Sequence, residues 1–548
     1  MKNCFFYILL FLYTANQLHS QNCNCTVSIP STQLIVDGNN YTIQPGDTVC
    51  LLAGNRDYLK LTNFHGDSLN YIVFINCGGT VKVQNNYHLY GISITKSSFF
   101  RFTGSGSDTI KYGIKIAETQ ANMNGLSISD KSTDYEIDHI EVGNAGFAGI
   151  MAKTDPVCDL SSNYGYFTQY KTSIHDNYIY NSGGEGMYIG HSFFSGYPTT
   201  CNTMPDTLYP HEIKGLRVYD NFIENSHWDG IQVGCATEDC EIYGNTIKNY
   251  GTDFVNGQNS GIQISGGTTG SCYNNFILNG SGNGISIFGL GNNLFFNNVI
   301  LNSGRNYYPS DPSKKVYGIF CDDRTTIPGL PFNFINNTII NPKTDGIRIY
   351  SLLSNNNKFY NNIIINPGSF GSYSNNNQSY IYLLTGVNAG LSNNYFDINM
   401  KNIKFIDTLQ YNFKLTEFSP AKDAGMDVSG FGINFDFDNY PRPYASGFDI
   451  GAFEYYPGNA VNEYIDNRNV LILPNPNKGI FNLILKELDS KMKYKIKIIN
   501  QLGASIYESE FIFKENQFID ISKTAKTGLY FIILQSENYR IIKKLIIQ

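Results

Sequence analysis

The sequence predicts an all-β chain wound as a right-handed parallel β-helix solenoid, and two interleaved repeats carry that prediction. The first is an Asn, any residue, then an apolar residue, written eight times: Asn177, Asn221, Asn245, Asn275, Asn298, Asn337, Asn362 and Asn394 open the copies. The intervals are 44, 24, 30, 23, 39, 25 and 32 residues, so the basal unit is near 23 and longer units carry insertions. A unit of that length holds about three short strands and cannot bury its own apolar face, so units must stack. The second repeat is a Gly followed by an apolar, variable, apolar triplet, as in Gly186-Met-Tyr-Ile189, Gly230-Ile-Gln-Val233, Gly261-Ile-Gln-Ile264, Gly284-Ile-Ser-Ile287, Gly318-Ile-Phe-Cys321 and Gly346-Ile-Arg-Ile349. Gly149-Ile-Met-Ala152 and Gly113-Ile-Lys-Ile116 extend the series upstream.

Alternation at period two puts the outer residues of each triplet inside and the middle one outside. The asparagines are expected to stack as an internal ladder at a turn, each amide bonding its neighbours above and below. Helical periodicity is absent, and 52 Gly with 40 Tyr and 37 Phe suit strands broken by tight turns.

Composition sets limits. The formal net charge is −7; residues 464–548 carry +5 and residues 1–463 carry −12. A body that acidic excludes non-specific nucleic-acid binding. Lys2 precedes an apolar run from Phe5 to Tyr13, which fits a signal peptide over residues 1–20 and is too short to span a bilayer. Cleavage there removes Cys4 and leaves ten of the 11 cysteines in an oxidising compartment. Cys235–Cys240 is the first disulfide expected, with Cys50–Cys77 and Cys158–Cys201 after it. Cys321, at an inward triplet position, is expected to be a buried free thiol.

Residues 470–548 shift to Lys-rich alternating strands with Pro474-Asn-Pro476, Gly479, Phe481, Leu502-Gly503, Tyr507, Gly528-Leu-Tyr530 and Lys543-Lys544 in order. This resembles the type A C-terminal sorting domain of the type IX secretion system of Gram-negative bacteria. The resemblance implies a small antiparallel β-sandwich, handling by that secretion machinery, and a secreted or cell-surface destination reached through the periplasm and outer membrane. Before it, Ser419-Pro-Ala421, Asp423-Ala-Gly425, Asp436-Phe-Asp438, Pro441-Arg-Pro443 and Asp449-Ile-Gly-Ala-Phe-Glu454 look like the segment that closes many secreted bacterial β-helix proteins. The organisation read from the sequence is a solenoid over residues 21–410, a closing segment over 411–458, a linker over 459–469 and the sorting domain over 470–548, in a monomer. Asp436 and Asp438 are turn residues of a cap or a calcium site.

The solenoid resembles the pectate-lyase-like β-helix families, in which the resemblance places a substrate groove along the outward face of one sheet. The middle triplet residues form that stripe: Lys115, Met151, Tyr188, Gln232, Gln263, Ser286, Phe320 and Arg348. Aromatic faces for sugar rings and amides for hydroxyls suit a polysaccharide, with Tyr188, Gln232, Gln263, Trp228 and Arg348 as the candidate substrate-binding residues. The residue before each Gly gives a second column: Tyr112, Ala148, Glu185, Asp229, Ser260, Asn283, Tyr317 and Asp345.

Glu185 and Asp229 fall on consecutive coils, which lie about 4.8 Å apart. Three roles stand open for them: the acid and nucleophile of a glycoside hydrolase, ligands of Ca²⁺ in a polysaccharide lyase, or caps on turn amides. His227, two residues before Asp229, is the candidate catalytic histidine. His191 reaches the pair only if its loop folds back, and Lys153 is the nearest base, on a sheet edge. The insertion from His191 to Lys214, rich in Phe and Tyr, is expected to wall the groove. Asp322-Asp-Arg324 with Asp345 and Arg348 form a reserve site. Against an enzyme stands a non-catalytic adhesin or glycan-binding protein, because the fold does not fix activity.

Overall fold

Eight asparagines mark one corner of every coil from residue 177 onward. The side-chain amide of each donates to the Oδ1 of the next, from Asn177 to Asn394, at 2.9–3.1 Å. A second bond runs from the backbone N–H of each to the same oxygen, as from Asn221 N to Asn245 Oδ1 at 3.2 Å. The residue ahead of each is left-handed where the chain turns, for example Asp220 at φ 51° and Asn274 at φ 52°, a conformation that Asn, Asp and Gly tolerate best.

In this computed structural model the described residues are 23–457 and 470–547, less 86, 305–306, 309–310, 312, 369–378, 445, 486–492, 501–503, 513–515 and 536–539. The expected signal peptide and linker lie outside them. The chain divides into two units, residues 1–455 and 456–548.

The first unit is the right-handed parallel β-helix. One sheet stacks 12 parallel strands from Ile35–Asp37 to Ile381–Leu383, and the Gly triplets lie in it. Ile231 pairs with Ile262, Ile262 with Ile285, Ile285 with Ile319 and Ile319 with Ile347, and all five side chains are buried in one core. The second sheet, of 23 strands, takes two short strands per coil on either side of the asparagine corner, such as Arg217–Tyr219 and Phe222–Glu224. Each buried Ile or Val contributes about 1.5–3 kcal/mol, a term that a single coil cannot collect alone. The Gly before each triplet is required by close approach: a Cβ on Gly230 would stand 2.6 Å from the Gly261 carbonyl oxygen.

The N-terminal register differs from expectation. Lys115 and Tyr112 are not in the triplet sheet, because Ile114–Glu118 belongs to the larger one, where Lys115 pairs with Glu141. The strand Asn124–Ser129 takes the place instead, with Ser127 opposite Met151.

Cysteine pairing is partly corrected. Cys158–Cys201 forms as expected, and Cys321 is a buried free thiol. Cys23–Cys77 and Cys25–Cys50 replace Cys50–Cys77. Cys235 and Cys240 are free and buried. The extended strand Ala236–Glu238 runs between them, and a three-residue strand of about 10 Å is longer than the Cα separation of about 4.4–6.8 Å that a disulfide spans.

Residues 403–453 lie along the flank of the last coils. Ile403, Phe405, Phe413, Leu415, Ile450 and Phe453 pack on Leu278, Leu301, Ile340 and Ile365, outward residues of the larger sheet. Buried Arg442 pairs with buried Glu454 at 2.6 Å and donates to Asn297 Oδ1 at 3.1 Å. Asp436 accepts from the amides of Asp438, Tyr440 and Glu454, and Asp438 pairs with Lys414 at 2.8 Å. Those bonds give both carboxylates a role in the turns of this segment.

The second unit has an antiparallel three-stranded sheet (Val470–Leu473, Ile480–Leu485, Asn516–Asp520) and an antiparallel four-stranded sheet (Ser505–Ile512, Lys493–Asn500, Gly528–Gln535, Arg540–Ile547). Phe481, Leu483, Ile496, Ile498, Ile532 and Leu545 share one core, so this is the expected small sandwich.

Candidate functional site

Backbone pairing places Glu185 and Asp229 on consecutive rungs. The N–H of Gly186 donates to the Asp229 carbonyl and that of Gly230 to the Ser260 carbonyl, both at 2.9 Å. Both carboxylates are shut from solvent, at 1% and 0% exposure. Asp229 Oδ1 accepts from the Ser260 N–H at 2.5 Å, which is the capping role in part. Asp229 Oδ2 and Glu185 Oε2 have no hydrogen-bond partner among the described residues. Burial pushes the Glu185 carboxyl up to about 7, opposed first by its own backbone N–H and then by the Lys153 charge. Burial raises Asp229 well above the carboxylate range, the Glu185 charge adds to the rise, and the bonds from Ser260 oppose it. Burial and the neighbouring charge thus favour the protonated form of the pair near neutral pH.

The stripe is in the expected register: Met151, Tyr188, Gln232, Gln263, Ser286, Phe320 and Arg348 are successive partners. Its solvation is not as expected, since Gln232 and Gln263 are 0% and 4% exposed. Neighbouring side chains account for part of the cover. Tyr188 and Met151 pack with Ala148 and Phe147, and the Lys153 ammonium lies 4.9 Å from the Tyr188 ring centre. The Arg348 guanidinium sits among the rings of Tyr382, Tyr317 and Tyr350 at 4.0, 5.1 and 5.1 Å and pairs with Asp345 at 2.8 Å. Both polar atoms of the Gln232 amide, Gln263 Oε1 and Arg348 Nε are buried without partners among the described residues. Carboxylate and amide oxygens of this kind fit a hard cation such as Ca²⁺ by donor type.

The loop after Ile189 turns back onto Tyr188 and Asp155, and the contacts of His191 are there. The Tyr188 hydroxyl meets Ser192 Oγ at 2.8 Å, and the Cys235 thiol donates to the His191 carbonyl. His191 Nε2 stands 3.5 Å from Asp155 Oδ1, the same oxygen that Lys153 Nζ holds at 2.7 Å. The His191 bond, then the Lys153 charge, keep the Asp155 carboxyl well below its ordinary range. His211 Nε2 accepts from the Thr154 N–H at 3.2 Å, and burial lowers its pKa to about 4. Asp155 and His211 were not legible as site neighbours, since only the fold of two insertions brings them there.

His227 turns elsewhere: its Nδ1 lies 3.1 Å from Asp253. Trp228 packs edge-on against Phe147 at 5.4 Å. The reserve cluster resolves into two pairs, Asp345–Arg348 and Asp322–Arg324, the latter lying over Phe288 at 3.9 Å. Another acidic group, Glu136, Asp138 and His175, has its charge met by Arg101 at 2.9 and 2.7 Å.

Comparison with known families agrees with this architecture. Residues 209–396 match the family described as right handed beta helix region, and residues 471–548 match the secretion system C-terminal sorting domain. No curated protein matches the chain. Among solved structures, a pectate lyase aligns at 13% identity and TM-score 0.38, over 76% of this chain and 89% of that one. An alginate lyase from a Paenibacillus strain aligns at 14% identity and TM-score 0.30, over 68% of this chain and 99% of that one. Likeness at that level concerns the fold alone.

Proposed function

Taking the chain as a right-handed β-helix protein that its sorting domain sends to the cell surface or beyond, we propose that it processes polysaccharide at the Glu185–Asp229 pair. The observation that carries this is the row of buried, unbonded polar atoms: Glu185 Oε2, Asp229 Oδ2, Gln232 Oε1 and Nε2, and Gln263 Oε1. Each such group costs about 1–3 kcal/mol when it stays unpaired, so the row suits a hydroxyl-rich ligand better than an empty wall.

The two carboxyls divide their work by environment. Asp229, fully buried with Oδ2 unbonded and no cation beside it among the described residues, keeps the proton and donates it to the leaving glycosidic oxygen. Glu185, with Lys153 near it, is the group that ionises. A rung spacing of about 4.8 Å is close to the separation of about 5–5.5 Å used by retaining glycosidases. Since the pair is shut from solvent, the chain around it opens as the substrate seats. His227, paired with Asp253, has no part in the proton transfer.

Lys153 favours one other reading. A cation held by Glu185 and Asp229 would supply charge to acidify a uronate, and Lys153 beside Tyr188 would take the proton in a lyase reaction. Assay of the full chain on a polysaccharide panel separates these. Hydrolysis gives reducing ends without ultraviolet absorbance, resists chelators, and falls about 10²–10⁴-fold in Glu185→Gln or Asp229→Asn. Unsaturated products and loss of activity on chelation identify the lyase. Glycan binding with no turnover, unchanged in the double variant, leaves a non-catalytic adhesin.

A further inference from the structure

Two insertions beside the Glu185 rung form one exposed aromatic surface. Residues 155–170 and 192–210 are joined by the Cys158–Cys201 disulfide, by the bond from Tyr164 N–H to the Tyr209 carbonyl at 3.0 Å, and by the bridge between Asn163 and Pro210. The second insertion is a hairpin, Tyr197–Cys201 against Met204–Leu208. Tyr164, Tyr166, Phe193, Tyr197, Met204 and Tyr209 are exposed on it, Tyr166 at 70% and Tyr164 at 56%. Tyr209 lies against Gly196, where a Cβ would come within 3.0 Å of its ring, and Phe193 and Tyr197 are 5.8 Å apart.

The surface contrasts with the other tyrosine row of the molecule. Tyr219, Tyr243 and Tyr273 stack face to face at 4.9 Å, each ring covering the next. Tyr164, Tyr166 and Tyr209 stack on no other ring among the described residues and keep faces and hydroxyls for a partner. The surface is continuous with the candidate site, because Phe193 is 5.2 Å from His191 and Ser192 bonds the Tyr188 hydroxyl.

Charge selects the partner. The two insertions carry Asp155, Asp159 and Asp206 and no Lys or Arg. Of the lysines that flank them, Lys153 and Lys214 are tied to Asp155 and Glu238 at 2.7 and 3.3 Å, and exposed Lys171 directly follows the first insertion. The insertions thus offer an anionic polymer no cation of their own, whereas flat hydroxyl-tipped rings suit the apolar face and equatorial hydroxyls of sugars. We propose that this disulfide-joined surface is a binding platform for a neutral polysaccharide that continues into the Glu185–Asp229 site.

The proposal rests on the reading of that site and narrows it. A neutral sugar lacks the acidic C–H beside a carboxylate that β-elimination needs, so cleavage is hydrolytic. The glycosidic C–O bond breaks, the hydroxyl of water ends on the anomeric carbon, and the proton ends on the leaving oxygen.

The test is affinity electrophoresis of the full secreted chain in gels containing dextran, xylan or galactomannan, or polygalacturonate. At least one neutral glycan should retard the protein and polygalacturonate should not. The Tyr164→Ala, Tyr166→Ala variant should bind about tenfold more weakly or worse, and the corresponding Phe variant should stay within about threefold, since it keeps the ring faces. Both positions are exposed, and matching thermal unfolding of the two variants checks that the fold is intact. Retardation by polygalacturonate alone, by no neutral glycan, or equally in the Ala variant overturns the platform. Turnover of a neutral glycan that ignores the tyrosines also overturns it and leaves the carboxylate reading intact. Tyrosine-dependent binding without turnover supports the platform and overturns the carboxylates' catalytic role.

Discussion

Asn221 and Asn245 are joined by two hydrogen bonds into one oxygen: the side-chain and backbone nitrogens of Asn221 both donate to Asn245 Oδ1, at 3.0 and 3.2 Å. Asn245 in turn donates to the Val218 and Tyr243 carbonyls and to Asn275. Asn245→Ala therefore strands several buried groups at once. It should lower stability by about 3 kcal/mol or more, from about 1–3 kcal/mol for each group left unpaired. Asn394, half-buried on the last such rung, should cost clearly less when replaced by Ala. Equal losses at the two positions in denaturant unfolding would remove the buried ladder as a stabilising element.

How much of this was readable follows from where the repeats are strict. From Asn177 onward, two marks per coil fix the register, and the ladder and triplet sheet follow from period-two alternation. Upstream no such Asn repeat exists, so Gly113-Ile-Lys-Ile116 and Gly125-Leu-Ser-Ile128 satisfy the alternation equally and only pairing across coils separates them. The flanking segment had an unread signal. The residue after each buried Ile changes from Tyr180, Glu224 and Lys248 to Leu278, Leu301, Ile340 and Ile365, just where a covering layer lies. A second asparagine row, four residues beyond the first, was also there to read: Asn181, Asn225 and Asn249 bond in series at 3.1 Å. At the site, the spacing of Glu185 and Asp229 was legible. Their burial, the fold-back of His191 and the pairing of His227 with Asp253 depend on insertions whose path no repeat encodes.

The sorting domain has its own two-sheet core, and the solenoid core is made wholly by residues of the first unit. Removal of residues 470–548 should thus leave a folded solenoid held in the periplasm. Cell fractionation with protease accessibility measures this, and surface display of the truncated chain at the full-length level would reject export through this domain.

The buried carboxylate pair should also leave a mark on stability against pH. Glu185 titrates near 7 in the folded chain against 4.5 for an ordinary glutamate, because burial disfavours its charged form. A carboxyl with a raised folded pKa binds its proton more tightly in the folded state. Its contribution is complete below about pH 4.5 and is lost as the pH climbs through about 7, a change of roughly 3 kcal/mol at 1.36 kcal/mol per unit. His175, raised to about 9 by its carboxylate neighbours, adds a slope of the same sign above pH 6.5, and His211 acts only on the acid side. The informative quantity is consequently the difference between the native chain and Glu185→Gln, in which both histidine contributions cancel. The variant should gain on the native protein between pH 5 and 8 in denaturant unfolding, since its neutral amide avoids placing a charge in the buried site. A difference that stays flat over that interval would mean that Glu185 ionises as an exposed carboxylate does, and would reject the raised pKa of the buried pair.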